Sequence, residues 1–213
     1  MIYLTGLVGF LLVLTAEARV GNSSQLEFCT ETEECLLFDL VCETDKYEVR
    51  HYDSVKWIST DMTSYAMEFA APRAFSRLFK YITGENEAGK KIQMTSPVIV
   101  KIPEKKFWER GAFTMSFLLP AEHQMNPPKP NNDDVYINEM PEMNVYVLTY
   151  GGWMTSMADN RKSDELSSAL NSVNAKYTKG FHHAAGYNSP MTMFKRHNEV
   201  WYVVEGDPVC PSS

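Results

Sequence analysis

YEVRHYDSVKWISTDM, Tyr47 to Met62, reads as a strand, a tight break at Asp53-Ser54 and a second strand. Tyr47, Val49 and His51 fall on one face of the first strand, and Glu48, Arg50 and Tyr52 on the other. About a hundred residues later VYVLTYGGW, Val145 to Trp153, says something similar. Tyr47, Val49 and Tyr52 line up with Val145, Val147 and Tyr150, and a tryptophan follows each, Trp57 and Trp153. Met94-Thr-Ser-Pro97 is echoed in the same order by Tyr187-Asn-Ser-Pro190. The pattern predicts two copies of one strand–helix–strand unit.

Each copy carries a helical stripe. Ala71, Phe75, Leu78, Phe79 and Ile82 share one face, with Pro72 at an early helical position and Gly84 at the stop. Arg73, Arg77 and Lys80 occupy other faces. In the second copy Ser163 suits an N-cap, Leu166, Leu170, Val173 and Tyr177 make the face, and Gly180 ends it. Lys91 to Ile102 reads as a strand interrupted by Pro97. Phe113, Met115, Phe117 and Leu119 alternate as a half-buried strand. Val135–Asn138, Phe181–Ala184, Met191–Lys195 and Glu199–Glu205 read as further extended segments. Pro127 to Asp134 is a loop.

The 213 residues suit one domain, with 11 Phe, 11 Tyr and 4 Trp to build a core. A net charge of −7 argues against nucleic acid as a main partner and against a basic membrane-binding surface. Ile2 to Thr15 is an apolar run followed by Ala16-Glu17-Ala18, the pattern of a secretory signal peptide over residues 1–18. A membrane anchor is the competing reading, but the run falls short of the roughly 20 residues that span a bilayer. No membrane span is expected elsewhere. Asn22-Ser23-Ser24 is a glycosylation sequon at Asn22.

Cys29, Cys35, Cys42 and Cys210 all lie beyond the cleavage site. In an oxidising compartment they predict two disulfides, with three connectivities open. If all four pair, Cys210 must bridge to the N-terminal cluster. A metal site is disfavoured because the spacing lacks a C-x2-C knuckle. The chain is thus divided into the signal segment, a Cys-containing N-terminal arm (19–45), a domain (46–206) and a tail (207–213).

Tyr47-Glu-Val-Arg-His-Tyr52, Lys91-Ile-Gln-Met-Thr-Ser-Pro97-Val, Ala185-Gly-Tyr-Asn-Ser-Pro190 and Asn198-Glu-Val-Trp201 together resemble the SOUL/haem-binding-protein family, on its haem-binding protein 2-like branch. The signal segment and cysteines mark a secreted variant. The resemblance implies an α+β fold: a pseudo-twofold, twisted antiparallel sheet bent into a distorted barrel, with two main helices. It implies binding of haem or a related tetrapyrrole in an apolar cleft along the first helix, without catalysis. Carried onto this sequence, that face offers Phe75 and Phe79 with Leu78 beside them, and Lys80, Arg73 or Arg77 for the propionates. His51 stands where this branch carries a proposed iron-ligating histidine; the alternative is a hydrogen-bonded residue at a strand end. His182 and His183, as strand neighbours, face opposite ways.

Three functions are weighed. The first is a secreted haem carrier or buffer. The second is a protein-interaction module, or a binder of another apolar ligand, that keeps the fold without haem affinity. The third is an enzyme, for which no catalytic constellation stands out.

Overall fold

The two strands of the Tyr47–Met62 stretch are present but do not pair with each other. The computed structural model describes residues 19–210; the expected signal peptide and the last three residues of the tail lie outside the described residues. The elements in chain order are β1 (Val20–Asn22), β2 (Glu34–Leu36), β3 (Asp39–Glu43), β4 (Glu48–Tyr52), β5 (Val55–Ser64), α1 (Met67–Ile82), β6 (Val98–Pro103) and β7 (Gly111–Leu118). There follow a one-turn α2 (Ala121–Gln124), β8 (Val135–Met140), β9 (Met143–Tyr150), α3 (Ser156–Ser172), β10 (Phe181–Gly186) and β11 (Asn198–Val203). The fold is α+β.

Nine strands form one antiparallel sheet in the order β3-β4-β9-β11-β10-β6-β7-β5-β8. From its middle, β6-β7-β5-β8 runs one way and β10-β11-β9-β4 the other. Two copies of strand–strand–helix–strand–strand are therefore related by a pseudo-dyad between β6 and β10. The duplication stands, but its sequence alignment does not. By topology β9 matches β5, whereas the Tyr47/Val145 alignment sets β9 against β4. Those two strands are hydrogen-bonded neighbours, with Glu48 opposite Val147. The aligned residues do not even share a face: Tyr47 and Val49 enter the core cluster beneath α3, whereas Val145 and Val147 enter the cluster on the other side of the sheet. Likewise Ser96-Pro97 precedes β6, while Ser189-Pro190 follows β10.

The sheet is bent without being closed, since its end strands β3 and β8 do not pair. Two-residue links, Asp53-Ser54 and Pro141-Glu142, carry the chain from one half to the other. One face collects Trp57, Ile99, Leu118, Val147 and Trp201 from both halves, and is the concave core. On the other face α1 covers Ile58, Val100, Phe113, Met115 and Phe117, and α3 covers Val49, Tyr146, Val200 and Tyr202. Trp57 and Trp201 are fully buried. Each withdraws on the order of 200 Å2 from water, about 5 kcal/mol.

Several boundaries differ from the sequence expectation. α1 begins at Met67, a turn before Ala71, so Pro72 lies inside the helix. Ala66 offers no side-chain cap; Ser156 Oγ accepts the Met67 N–H instead, at 3.2 Å. α3 begins at Ser156, capped by Thr155, whose hydroxyl accepts the Ala158 N–H at 3.2 Å. Ser163 is mid-helix and donates back to the Asn160 carbonyl at 2.9 Å. Past the end of α3 it is Asn174, at φ 55, that turns left-handed; Gly180, at φ 89, opens β10. The strand expected from Lys91 starts only at Val98, because Pro97 has no N–H for the ladder. Met191–Lys195 forms no strand.

The disulfides are Cys29–Cys35 and Cys42–Cys210. The arm is built into the molecule. β3 is an edge strand of the main sheet, and Leu36 N–H donates to the Ser96 carbonyl at 2.9 Å. Exposed Asn22 accepts the Ser24 N–H at 2.8 Å. The tail is held too, where Tyr47 Oη donates to the Val209 carbonyl at 2.9 Å.

Candidate functional site

The apolar stripe of α1 extends past the part that packs on the sheet. Ala70, Ala74, Leu78 and Tyr81 are buried on the sheet, which leaves Phe75 and Phe79 on the flank. Their rings stack at 5.8 Å and 16°, and Phe75 meets Phe117 edge-on at 5.0 Å. Phe79 remains 46 % exposed. Together they form one wall of a groove of about 500 Å3. The opposite wall comes from the segment entering β6 (Gln93–Ser96) and the one leaving β10 (Gly186–Pro190), so the two Ser-Pro motifs converge here. Met94 and Val98 add apolar surface. A Cβ on Gly186 would meet Met154 Cε at 3.4 Å, so glycine leaves that sulfur side chain undisturbed.

The disulfide-bound arm closes one end through Glu31, Thr32 and Glu33. Glu31 accepts hydrogen bonds from the Ser189 N–H, from Asn188 Nδ2 at 2.9 Å and from Thr192 Oγ1 at 2.6 Å. Burial raises its pKa, but these donors outweigh it and hold the carboxyl below its ordinary range. Arg196 pins the same loop, donating to the Ser189 carbonyl at 2.7 Å and the Thr192 carbonyl at 2.9 Å. Reading the arm as a separate segment missed Glu31; only its cysteines hinted that it was tied down.

The other expected residues lie elsewhere. Leu78 is core beneath α1. Lys80 points to Glu85 at 3.6 Å, and Arg77, on the opposite flank, pairs with Asp134. Arg73, like these two, is not part of the groove wall. His51 lines a different cavity of about 570 Å3, which shares no lining residue with the groove. Its Nδ1 bonds Asn144 Oδ1 at 3.0 Å, and its Nε2 faces Asp53 and Glu142 at 3.7 and 3.6 Å. Lys101, Phe181 and His183 line that cavity as well. His183 is buried; burial, with the charges of Lys101 and His182, pushes it down to about 3, so its ring is neutral. His182 faces the other way, toward Asp159, as strand alternation requires. Among the described residues no three His, Cys, Asp or Glu side chains are grouped to hold a metal ion.

The family model described as SOUL heme-binding protein matches residues 33–203. The chain belongs to this family. It is 34% identical to "Heme-binding protein 2" of Homo sapiens over 163 residues, which is 76% of this chain and 80% of that protein. It is 30% identical to "Heme-binding protein 1" of Bos taurus over 158 residues, 74% of this chain and 82% of the other. The crystal structure of the EcmrR C-terminal domain shares the fold at a TM-score of 0.52 and 8% identity, covering 79% of this chain and 98% of that one. The SOUL match begins at Glu33 and so takes in β2, β3 and one arm residue lining the groove.

The groove suits one part of a haem better than another. Its aromatic and thioether walls fit the apolar face of a macrocycle. It contributes no imidazole and, among the described residues, no Lys or Arg for a propionate.

Proposed function

We propose that this protein binds haem or a related tetrapyrrole in the α1 groove and acts as a carrier or buffer, not as a catalyst, in an extracellular compartment. The observation that carries the reading is the stacked Phe75–Phe79 pair left open beside an apolar groove in a SOUL-family chain. Binding rests on stacking and burial. Covering one face of the macrocycle, roughly 200–300 Å2, contributes about 5–8 kcal/mol gross. Association costs several of these, so affinity in the micromolar range is expected. The propionates stay hydrated, because no described cation lines the groove. Two disulfides, the signal-like N-terminus and the sequon at Asn22 support secretion. No helix among the described residues is long and apolar enough to cross a membrane.

The test is a haem titration of the oxidised protein followed at the Soret band, beside Phe79→Ser and His51→Ala. Saturation at one equivalent, weakened about tenfold or more in Phe79→Ser and unchanged in His51→Ala, is expected. A shift abolished by His51→Ala alone would move the site to the His51 cavity. No saturable shift in folded protein would favour the interaction-module reading.

A further inference from the structure

The pseudo-dyad that generates the fold also generates a second cleft. The α1 groove lies between α1, the segment entering β6 and the segment leaving β10. Its counterpart should lie between α3, the segment entering β10 and the segment leaving β6. A cavity of about 640 Å3 is found there, lined by Asn160 and Ser163 of α3, by Lys179 and His182 at the entry to β10, and by Lys105 and Phe107 beyond β6. The duplication has kept the shape and changed the chemistry. Among the described residues the first cleft offers two phenylalanines and no cation; the second offers lysines, tyrosines and a buried histidine beside the carboxylates of Glu104 and Asp164.

Three observations point to a ligand. Lys105 and Lys179 both line the cleft, and among the described residues neither has a carboxylate within ion-pair distance. The Lys105 ammonium donates to the carbonyls of Tyr65 and Glu109 at 2.6 and 2.8 Å, which leaves a third N–H. That of Lys179 sits over the Tyr177 ring at 3.4 Å. Two rings on the cleft are uncovered, Phe107 at 82% and Tyr65 at 55% exposure. At the base is His182, whose Nε2 is committed to Asp159 at 2.7 Å while its buried Nδ1 has no partner among the described residues. The carboxylate of Glu104, also on the cleft, is engaged by the Gly180 N–H at 3.2 Å; that of Asp164 is at the exposed α3 side.

We propose that the α3 cleft is a second ligand site that takes a small aromatic carboxylate, its ring against Phe107 and Tyr65 and its charge between Lys105 and Lys179. Cations set beside aromatic faces give an anionic ring both a charge partner and a stacking surface. An arene of two fused rings fits easily within the cavity volume.

The experiment is a 1H–15N NMR titration of the oxidised mature protein with 2-naphthoate, repeated with neutral 2-naphthalenemethanol and with a Lys105→Gln/Lys179→Gln variant. Saturable shifts centred on Asn160, Lys179 and His182 are expected. Affinity should fall about tenfold both for the neutral probe and in the variant. Shifts centred on Phe75 and Phe79, equal affinity for the neutral probe, or no saturable shift would each overturn the proposal. The variant's haem titration should match wild type, so failure of this proposal and failure of the α1 reading are separable.

Discussion

Glu199 is fully buried in the concave core, and four side chains converge on its carboxylate. Arg50 lies at 2.8 Å, His197 and Trp201 Nε1 each at 2.7 Å, and Tyr187 Oη at 3.0 Å. The Arg50 guanidinium is itself capped by the Phe38 ring at 4.0 Å. Burial alone would raise the carboxyl's pKa; Arg50 and then His197 hold it down at about 2. Arg50 keeps Glu48 at 2.7 Å but loses its fully buried counter-charge, so Glu199→Gln should cost about 2–3 kcal/mol in urea unfolding. A loss under about 1 kcal/mol would show that the pair is dispensable. His183 gives a separate pH signature. It is held neutral in the fold with its pKa lowered from 6.5 to about 3, so the unfolded chain takes up the proton first as pH falls. Its stabilisation is full above pH 6.5 and is lost between there and pH 3. Glu199, lowered from 4.5 to about 2, adds its loss only below pH 4.5. Between pH 6.5 and 4.5 the wild type should therefore lose up to about 1.4 kcal/mol per pH unit that a His183→Leu variant keeps. Urea midpoints falling in parallel for the two proteins would assign that pH dependence to another group.

At the scale of elements, the stripe of α1 was legible because five apolar residues keep one helical period, whereas α3 was legible only in its second half. Its first two turns, Ser156 to Ser163, are polar because they face the second cleft and the buried Asp159–His182 pair, so periodicity stays silent there. Alternation sorted the faces of β4 correctly: Val49 enters the α3 core, while Arg50 and Tyr52 enter the concave one. It could not order the strands, because pairing joins residues far apart in the chain, as Glu48 with Val147 does. At the site, spacing put Phe75 and Phe79 on the apolar face of α1, and only the family resemblance set that face against a cleft. Glu31 was not readable, because its role depends on the arm folding back onto Ser189. Both disulfides brace elements, but unequally. Cys42–Cys210 ties β3 to the tail across a sequence separation of 168, and Cys29–Cys35 closes one of 6. Chain entropy assigns them about 5 and about 2 kcal/mol. Cys42→Ser/Cys210→Ser should therefore lower unfolding free energy more than Cys29→Ser/Cys35→Ser. The reverse order would mean that bracing the arm matters more than restricting the unfolded chain.

Over the whole molecule, duplication sets two helices on the outside of one bent sheet and leaves a cleft beside each. The halves have diverged, with Phe and Met along α1 and Lys, Tyr and His along α3. His51 belongs to neither cleft; it lies near a sheet corner, held by Asn144. The proposed binding mode seats a macrocycle in the α1 groove by its apolar face, without iron ligation by His51. The deciding measurement compares the affinities of haem and metal-free protoporphyrin IX for the oxidised protein, each with wild type and His51→Ala. Affinities for the two macrocycles should lie within about tenfold of each other, with no effect of the substitution on either. Haem bound far more tightly than the metal-free ring, with that advantage erased by His51→Ala, would contradict that binding mode.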